Sequence, residues 1–147
     1  LVRRPYKNKA KPNYAKLCLS YICAVTLIYG TVSQEDFLKE KLSDNNIASL
    51  AKKIIVQQDE NEDLNAFGPQ LITIHLKIGE SFDFNAQYAL GDPKNPLSRQ
   101  QQLDKFFYCW NISKNKIPLN FAKKMINKID NLENLENTSE IIDMITI

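Results

Sequence analysis

Histidine occurs once in the 147 residues, tryptophan once and cysteine three times. The single imidazole, His75, leaves no material for a His-rich metal centre or a histidine pair within the chain, so acid–base chemistry must lean on other groups. Cys18, Cys23 and Cys109 cannot pair completely and show no C-x-x-C spacing, so neither a disulfide framework nor a zinc site is indicated, and a reducing compartment such as the cytoplasm is expected. Glycine is scarce: Gly79 and Gly91 stand alone and form no phosphate-cradling motif. Long apolar runs are missing too. Leu17 to Tyr29 is only 13 residues and includes Ser20 and Thr26, whereas a spanning helix needs about 20, which argues for a buried core helix and no membrane partner. The basic segment ahead of it imitates a signal peptide, but no clear small-x-small cleavage signature follows.

What is present is ordinary globular composition. Hydrophobic residues at 44% and charged residues at 24% exclude disordered, collagen-like and fibrous classes. Length alone suggests one compact unit able to bury a real core. The chain starts with Leu rather than Met, which points to processing or to a piece of something longer. The net charge of +2 hides an asymmetry: residues 1–32 hold six bases (Arg3, Arg4, Lys7, Lys9, Lys11, Lys16) and no acid. Such an arm could meet nucleic-acid phosphates or a small polycarboxylate. Aromatic interleaving of the kind single-strand binders use is limited to Tyr6 and Tyr14, so a solvated arm is the plainer reading and no nucleic-acid partner is expected.

Periodicity predicts one helix from about Asn13 to Tyr29, apolar on nearly every face and therefore covered all round, ending at Gly30. Ser33 with Glu35 and Asp36 resembles a helix start, and Ser43 or Asp44 could cap a helix carrying Ile47, Leu50, Ala51 and Ile54. A short strand, Ile54 to Val56, precedes the acidic loop QQDENEDLN. Then LITIHLKIGESFDFNAQYAL alternates: Ile72, Ile74 and Leu76 share one face of the first arm, and Phe82, Phe84, Ala86 and Tyr88 share one face of the second. This predicts a hairpin turning near Gly79, with a polar outer face and helices on the other. GDPKNP is turn-rich, and Ser98 with Gln101 fits a capping box for a helix whose Leu103, Phe106, Phe107 and Trp110 form one stripe. A second helix from about Pro118 carries Phe121, Met125, Ile129, Leu132 and Leu135, and a last one runs from Thr138 to Ile145. The fold class is therefore α+β: helices on one face of a small antiparallel sheet, followed by a helical tail.

No catalytic constellation forms by itself. His75 reads as a solvated or rim residue on the polar face of a strand. Cys18 and Cys23 lie in the apolar helix, where inert packing outweighs a Cys–His nucleophile. The acids from Asp59 to Asp63 lack the ligand spacing and glycine of a calcium loop, leaving a solvated charge run and no metal. Tyr21 stands out as a phenol inside an apolar helix. Its hydroxyl must meet main chain, or open into a cavity where it could give a proton or hydrogen bond to an anionic intermediate.

RRPY, then AKLCLSYICAVTLIYGTVSQEDF, then the hairpin ending YALGDPKNPLSRQQQLDKF, then LENLENTSEIIDMI, together resemble the C-terminal portion of the MmgE/PrpD family. The strongest pieces are Ala15, Leu19, Tyr21 and Ala24 in one helix, and GDPKNPLS. That family includes 2-methylcitrate dehydratase and cis-aconitate decarboxylase. The resemblance covers the chain from Arg4 to its end.

The resemblance implies a lyase with a large helical domain and a smaller α+β lid, an active site between them, no metal or organic cofactor, and a homodimer. Residues 1–92 would be the later part of the lid. Residues 93–147 would be a connecting loop and C-terminal helices returning to a helical domain outside this chain. The family's active-site tyrosine falls on Tyr21. Cys18 stands where relatives often have serine and Ser20 where many have proline, and the family's histidines, aspartate and lysines lie in the missing part. The substrate implied is a small di- or tricarboxylate, and these residues alone are expected to be inactive. The contrasting reading is a non-catalytic remnant or interaction module that keeps the lid packing.

Overall fold

A computed structural model describes residues 4–58, 61, 63, 68–114 and 117–146. The chain divides into two compact units, 1–62 and 63–147, rather than the single unit that length suggests.

The first unit holds α1 (Pro12–Ala15), α2 (Leu19–Tyr29), α3 (Lys39–Leu42) and α4 (Asn45–Ala51). The expected continuous helix is broken. Cys18 is extended, at φ −106° and ψ 100°, and buried, while its carbonyl accepts from the Tyr21 and Ile22 amides to start α2 afresh. An all-apolar run has no hydrophobic phase, so periodicity could not mark that break. Cover all round is also not what forms. Ser20, Tyr21, Ala24 and Val25 are buried, whereas Leu27, Ile28 and Tyr29 are exposed. Gly30 does end the helix, at φ +79°, where its amide reaches the Thr26 carbonyl at 2.8 Å.

Helix α4 is capped by Asp44, whose carboxylate accepts from the Asn46 and Ile47 amides at 2.7 and 3.3 Å. It packs on α2, so that Ile47 and Ala51 meet Ala24, Val25 and Tyr21 in one core with Ala15, Cys18 and Leu42. Each large side chain buried there contributes about 1.5–3 kcal/mol. Ile54 to Val56 is not a strand. Ile54 packs on this core, Ile55 and Val56 are exposed, and three residues with no partner strand cannot form a ladder.

The second unit opens with β1 (Gln70–His75) and β2 (Ser81–Ala86), an antiparallel hairpin. Ile72 faces Phe84 and Ile74 faces Phe82 on one side. On the other, Thr73 Oγ1 donates to Asp83 at 2.6 Å and His75 Nδ1 lies 2.7 Å from Ser81 Oγ. Gly79, at φ +92°, sits in the turn, which the Leu76 amide closes on the Glu80 carbonyl. The mixed α+β class holds, with seven α-helices and one two-stranded sheet among the described residues. The helical cover expected on the apolar face does not form: Ile72, Ile74, Phe82 and Phe84 are all exposed, the last at 64%. Two strands pair only their facing backbone groups and need not bury either face to do so.

GDPKNP makes the expected turn, closed by the Gly91 amide on the Asn95 carbonyl. Then α5 (Arg99–Ile112) opens with the Ser98/Gln101 capping box fully formed. Its stripe is half-buried, and Phe106 stacks near Trp110 at 5.5 Å. Helix α6 (Leu119–Asp130) starts after Pro118 and stops before Leu132, where the Asn131 amide group turns back onto the Asn127 carbonyl. Helix α7 (Ser139–Asp143) is shorter than its sequence pattern. No described helix is long and apolar enough to cross a membrane.

Candidate active site

Tyr21 sits in the first turn of α2, on the face that packs against α4, and is only 3% exposed. Its hydroxyl donates to the main-chain carbonyl of Asp36 at 2.5 Å. Of the two environments open to this phenol, main chain or cavity, its proton takes the first. The acceptor belongs to a tight turn, Glu35–Phe37, that follows α2. The Asp36 carboxylate, itself buried, accepts from both the amide and the hydroxyl of Ser33, at 2.7 and 2.9 Å. Ser33 with Glu35 and Asp36 resembles a helix start, and a short 3-10 helix does form over Glu35–Phe37, the Asp36 carboxylate reaching back to the Ser33 amide three residues earlier as a capping residue does.

A narrow crevice reaches the Tyr21 side chain between Tyr6, Lys7, Tyr14, Cys18 and Leu42. Its free volume is about 10 Å³, room for one water. Pockets that enclose organic ligands run to about 300–1,000 Å³, so this crevice alone does not hold a polycarboxylate. The Tyr14 hydroxyl is occupied by the Pro5 carbonyl at 2.9 Å. Tyr6, half-buried, contributes its ring to the core and was not singled out as a site residue from sequence. A basic lead-in followed by scattered aromatics gives no phase from which to place it.

Burial, with the negative charge of Asp36 next in weight, pushes the Tyr21 phenol up to about 12. It therefore stays protonated near neutrality and offers its O–H as a hydrogen-bond donor, while the upward shift makes it a weaker acid than a phenol in water. Burial likewise pushes the Tyr6 phenol and the Cys23 thiol upward, which keeps Cys23 a poor nucleophile. Cys18 is fully buried and all three cysteines are free thiols.

The basic arm is partly engaged: Arg4 stacks 5.1 Å from the Tyr14 ring centre and Lys16 lies 5.6 Å from that of Phe37. His75 is exposed on the hairpin, its ring nitrogen turned to Ser81. Of the acids from Asp59 to Asp63, Asp59, Glu60 and Glu62 lie outside the described residues, and Asp63 is exposed. Among the described residues no three His, Cys, Asp or Glu side chains gather closely enough to hold a metal ion.

Comparison with protein families matches residues 3–115 to the MmgE/PrpD C-terminal domain. The match takes in RRPY, the Tyr21 helix, the hairpin, GDPKNPLS and α5, and it ends before α6, so LENLENTSEIIDMI lies beyond it. No curated protein matches the chain. With about three quarters of its length matched in one stretch, the chain belongs to the MmgE/PrpD family through that family's C-terminal domain.

Proposed function

We propose that these residues are the C-terminal part of an MmgE/PrpD-like lyase acting on a small di- or tricarboxylate such as 2-methylcitrate or cis-aconitate, by moving water or releasing carbon dioxide. The observation that carries this reading is the family match over residues 3–115. In this reading residues 1–92 are the later part of an α+β lid. Residues 93–147 are the connection and helices that return to a helical domain contributed by polypeptide outside these residues. The assembled enzyme is a cytoplasmic homodimer.

Such chemistry needs cations for the carboxylates, a base to take a proton, and an acid for the leaving hydroxyl or the carbanion-like carbon. Tyr21 is our candidate for the acid. Its phenol is protonated at neutral pH, and Lys7 is among the residues that line the same crevice. To deliver that proton the phenol must turn its O–H from the Asp36 carbonyl to the substrate while the Glu35–Phe37 turn keeps the ring in place.

Two assays test the reading. The 147 residues alone should show no turnover of 2-methylcitrate or cis-aconitate, and activity should require the helical domain. In that assembled enzyme Tyr21→Phe should lower kcat by about 10²–10⁴-fold, the range for losing a general acid. Unchanged rates in a folded variant would reject the role of Tyr21.

One observation favours a second reading, an interaction module that keeps the lid packing without catalysis. The Tyr21 proton is held by main chain beside a crevice the size of one water. There Tyr21→Phe weakens the fold and there is no turnover to lose. If the polypeptide encoded ahead of Leu1 lacks the family's His, Asp and Lys motifs, this second reading stands.

A further inference from the structure

Asp36 is a charged residue in an unexpected place. It is 6% exposed, so its carboxylate is taken out of water, and both of its hydrogen bonds come from a single nearby residue, Ser33. Burying a carboxylate is costly unless hydrogen bonds replace its hydration, and two bonds to a neighbour three positions away do little to join distant parts of the chain. What they do is lock a turn. That turn presents two groups to Tyr21: the Asp36 carbonyl takes the phenol proton at 2.5 Å, and the next residue, Phe37, sets its ring 5.9 Å from the Tyr21 ring centre at 45°. The turn therefore holds the phenol by its oxygen and by its ring at once.

We infer that Asp36 is a positioning residue for Tyr21, its side chain tying the turn to Ser33 so that its own carbonyl stays where the phenol can bind it. The inference deepens the proposed lyase reading, since it names what sets the orientation of the candidate acid. Its structural core can be measured without any turnover.

The test is a double-mutant cycle on the unfolding equilibrium of the whole 147-residue chain. Tyr21→Phe should shift the folded-to-unfolded ratio about tenfold or more, because it leaves a buried carbonyl without its donor. In an Asp36→Ala background the same change should cost less than about threefold, since the untied carbonyl no longer waits for the phenol. Asp36→Asn, whose amide oxygen can still accept from Ser33, should restore the full cost. If Asp36→Ala does not fold, Ser33→Ala replaces it. That variant removes one of the two bonds and should give a cost between the two.

An undiminished Tyr21→Phe cost in both the Asp36→Ala and Ser33→Ala backgrounds would overturn the inference. So would failure of Asp36→Asn to restore it. In the assembled enzyme Asp36→Ala should lower kcat with KM held, and Asp36→Asn should recover it. An assembled enzyme with no lyase turnover, beside an intact cycle in the 147-residue chain, would sink the lyase reading and leave the positioning role in place. Turnover with no coupling would do the reverse.

Discussion

The two units differ in how they are held together. In the first, nine apolar residues are buried: Ala15, Cys18, Tyr21, Ala24, Val25, Leu42, Ile47, Ala48 and Ala51. In the second, only Ala122 and Met125 are, among the described residues. Yet the second unit has the longer helices, the sheet and the complete capping box. Regular backbone structure and a closed core are thus separate achievements. Caps, turns and a strand ladder satisfy local hydrogen bonds, whereas burial requires a second surface to pack on. The first unit finds that surface within itself, in α2 against α4, and this is what fixes Tyr21. The second unit leaves Ile72, Phe82 and Phe84 facing solvent.

The strongest way to break this contrast is to make the same substitution in each unit. Ile47 is 1% exposed between α2 and α4, and Ile47→Ala should destabilise the chain by about 2–5 kcal/mol, the loss of transfer energy plus a cavity. Ile72 is exposed on the hairpin, and Ile72→Ala should stay within about 0.5 kcal/mol. Denaturant titrations of both variants give the comparison directly. Equal costs would mean that the hairpin face is covered after all and that the two units are not built differently.

A smaller effect follows from the pKa of Tyr21, which sharpens the description of the first unit as a place that excludes water. The phenol is pushed from 10.0 to about 12 on folding. Between those values the unfolded chain has given up the proton and the folded chain has kept it. Folding therefore loses stability as pH rises from about 10 to 12, and keeps it in full below 10. The loss is about 2 kcal/mol by pH 11.5. It is read as the difference between the wild type and Tyr21→Phe, measured at pH 9 and again near pH 11.5, because the difference cancels the lysines that titrate over the same range. A Tyr21→Phe cost that does not shrink with pH would show that the phenol ionises as it would in water.

Features written in neighbouring residues were legible in the sequence. Ser98 and Gln101 announced their capping box, Gly30 its helix stop, and the alternation from Leu71 to Ala86 a hairpin turning near Gly79, because each rests on contacts within a few positions along the chain or across a tight turn. The α+β class followed from the same signals. What could not be read depends on distant or main-chain groups. The break at Cys18 is set by core packing that an all-apolar run does not encode. Tyr21 could be picked out as a buried phenol needing a partner, but its partner is a carbonyl, and a carbonyl is present at every position and marks none. The serine-then-acid spacing of Ser33 and Asp36 marks the start of the short helix at Glu35–Phe37, but not the main-chain carbonyl that Asp36 offers to Tyr21.

The least effect expected separates the units by kind rather than by size. Asp44 caps α4, whose face closes the core, and Ser98 caps α5, which has no fully buried residue. Both carry good cap geometry, so Asp44→Ala and Ser98→Ala should each cost about 1 kcal/mol of helix stability. Their readouts should differ. Loss of the Asp44 cap loosens a helix that the whole first core depends on, so amides of α2 and α4 should exchange faster together. Loss of the Ser98 cap should speed exchange in the first turn of α5 and leave β1 and β2 untouched, since none of these elements shares a closed core with the others. Amide exchange that accelerated throughout residues 70–112 in Ser98→Ala would reveal cooperative packing in the second unit and dissolve the distinction drawn between them.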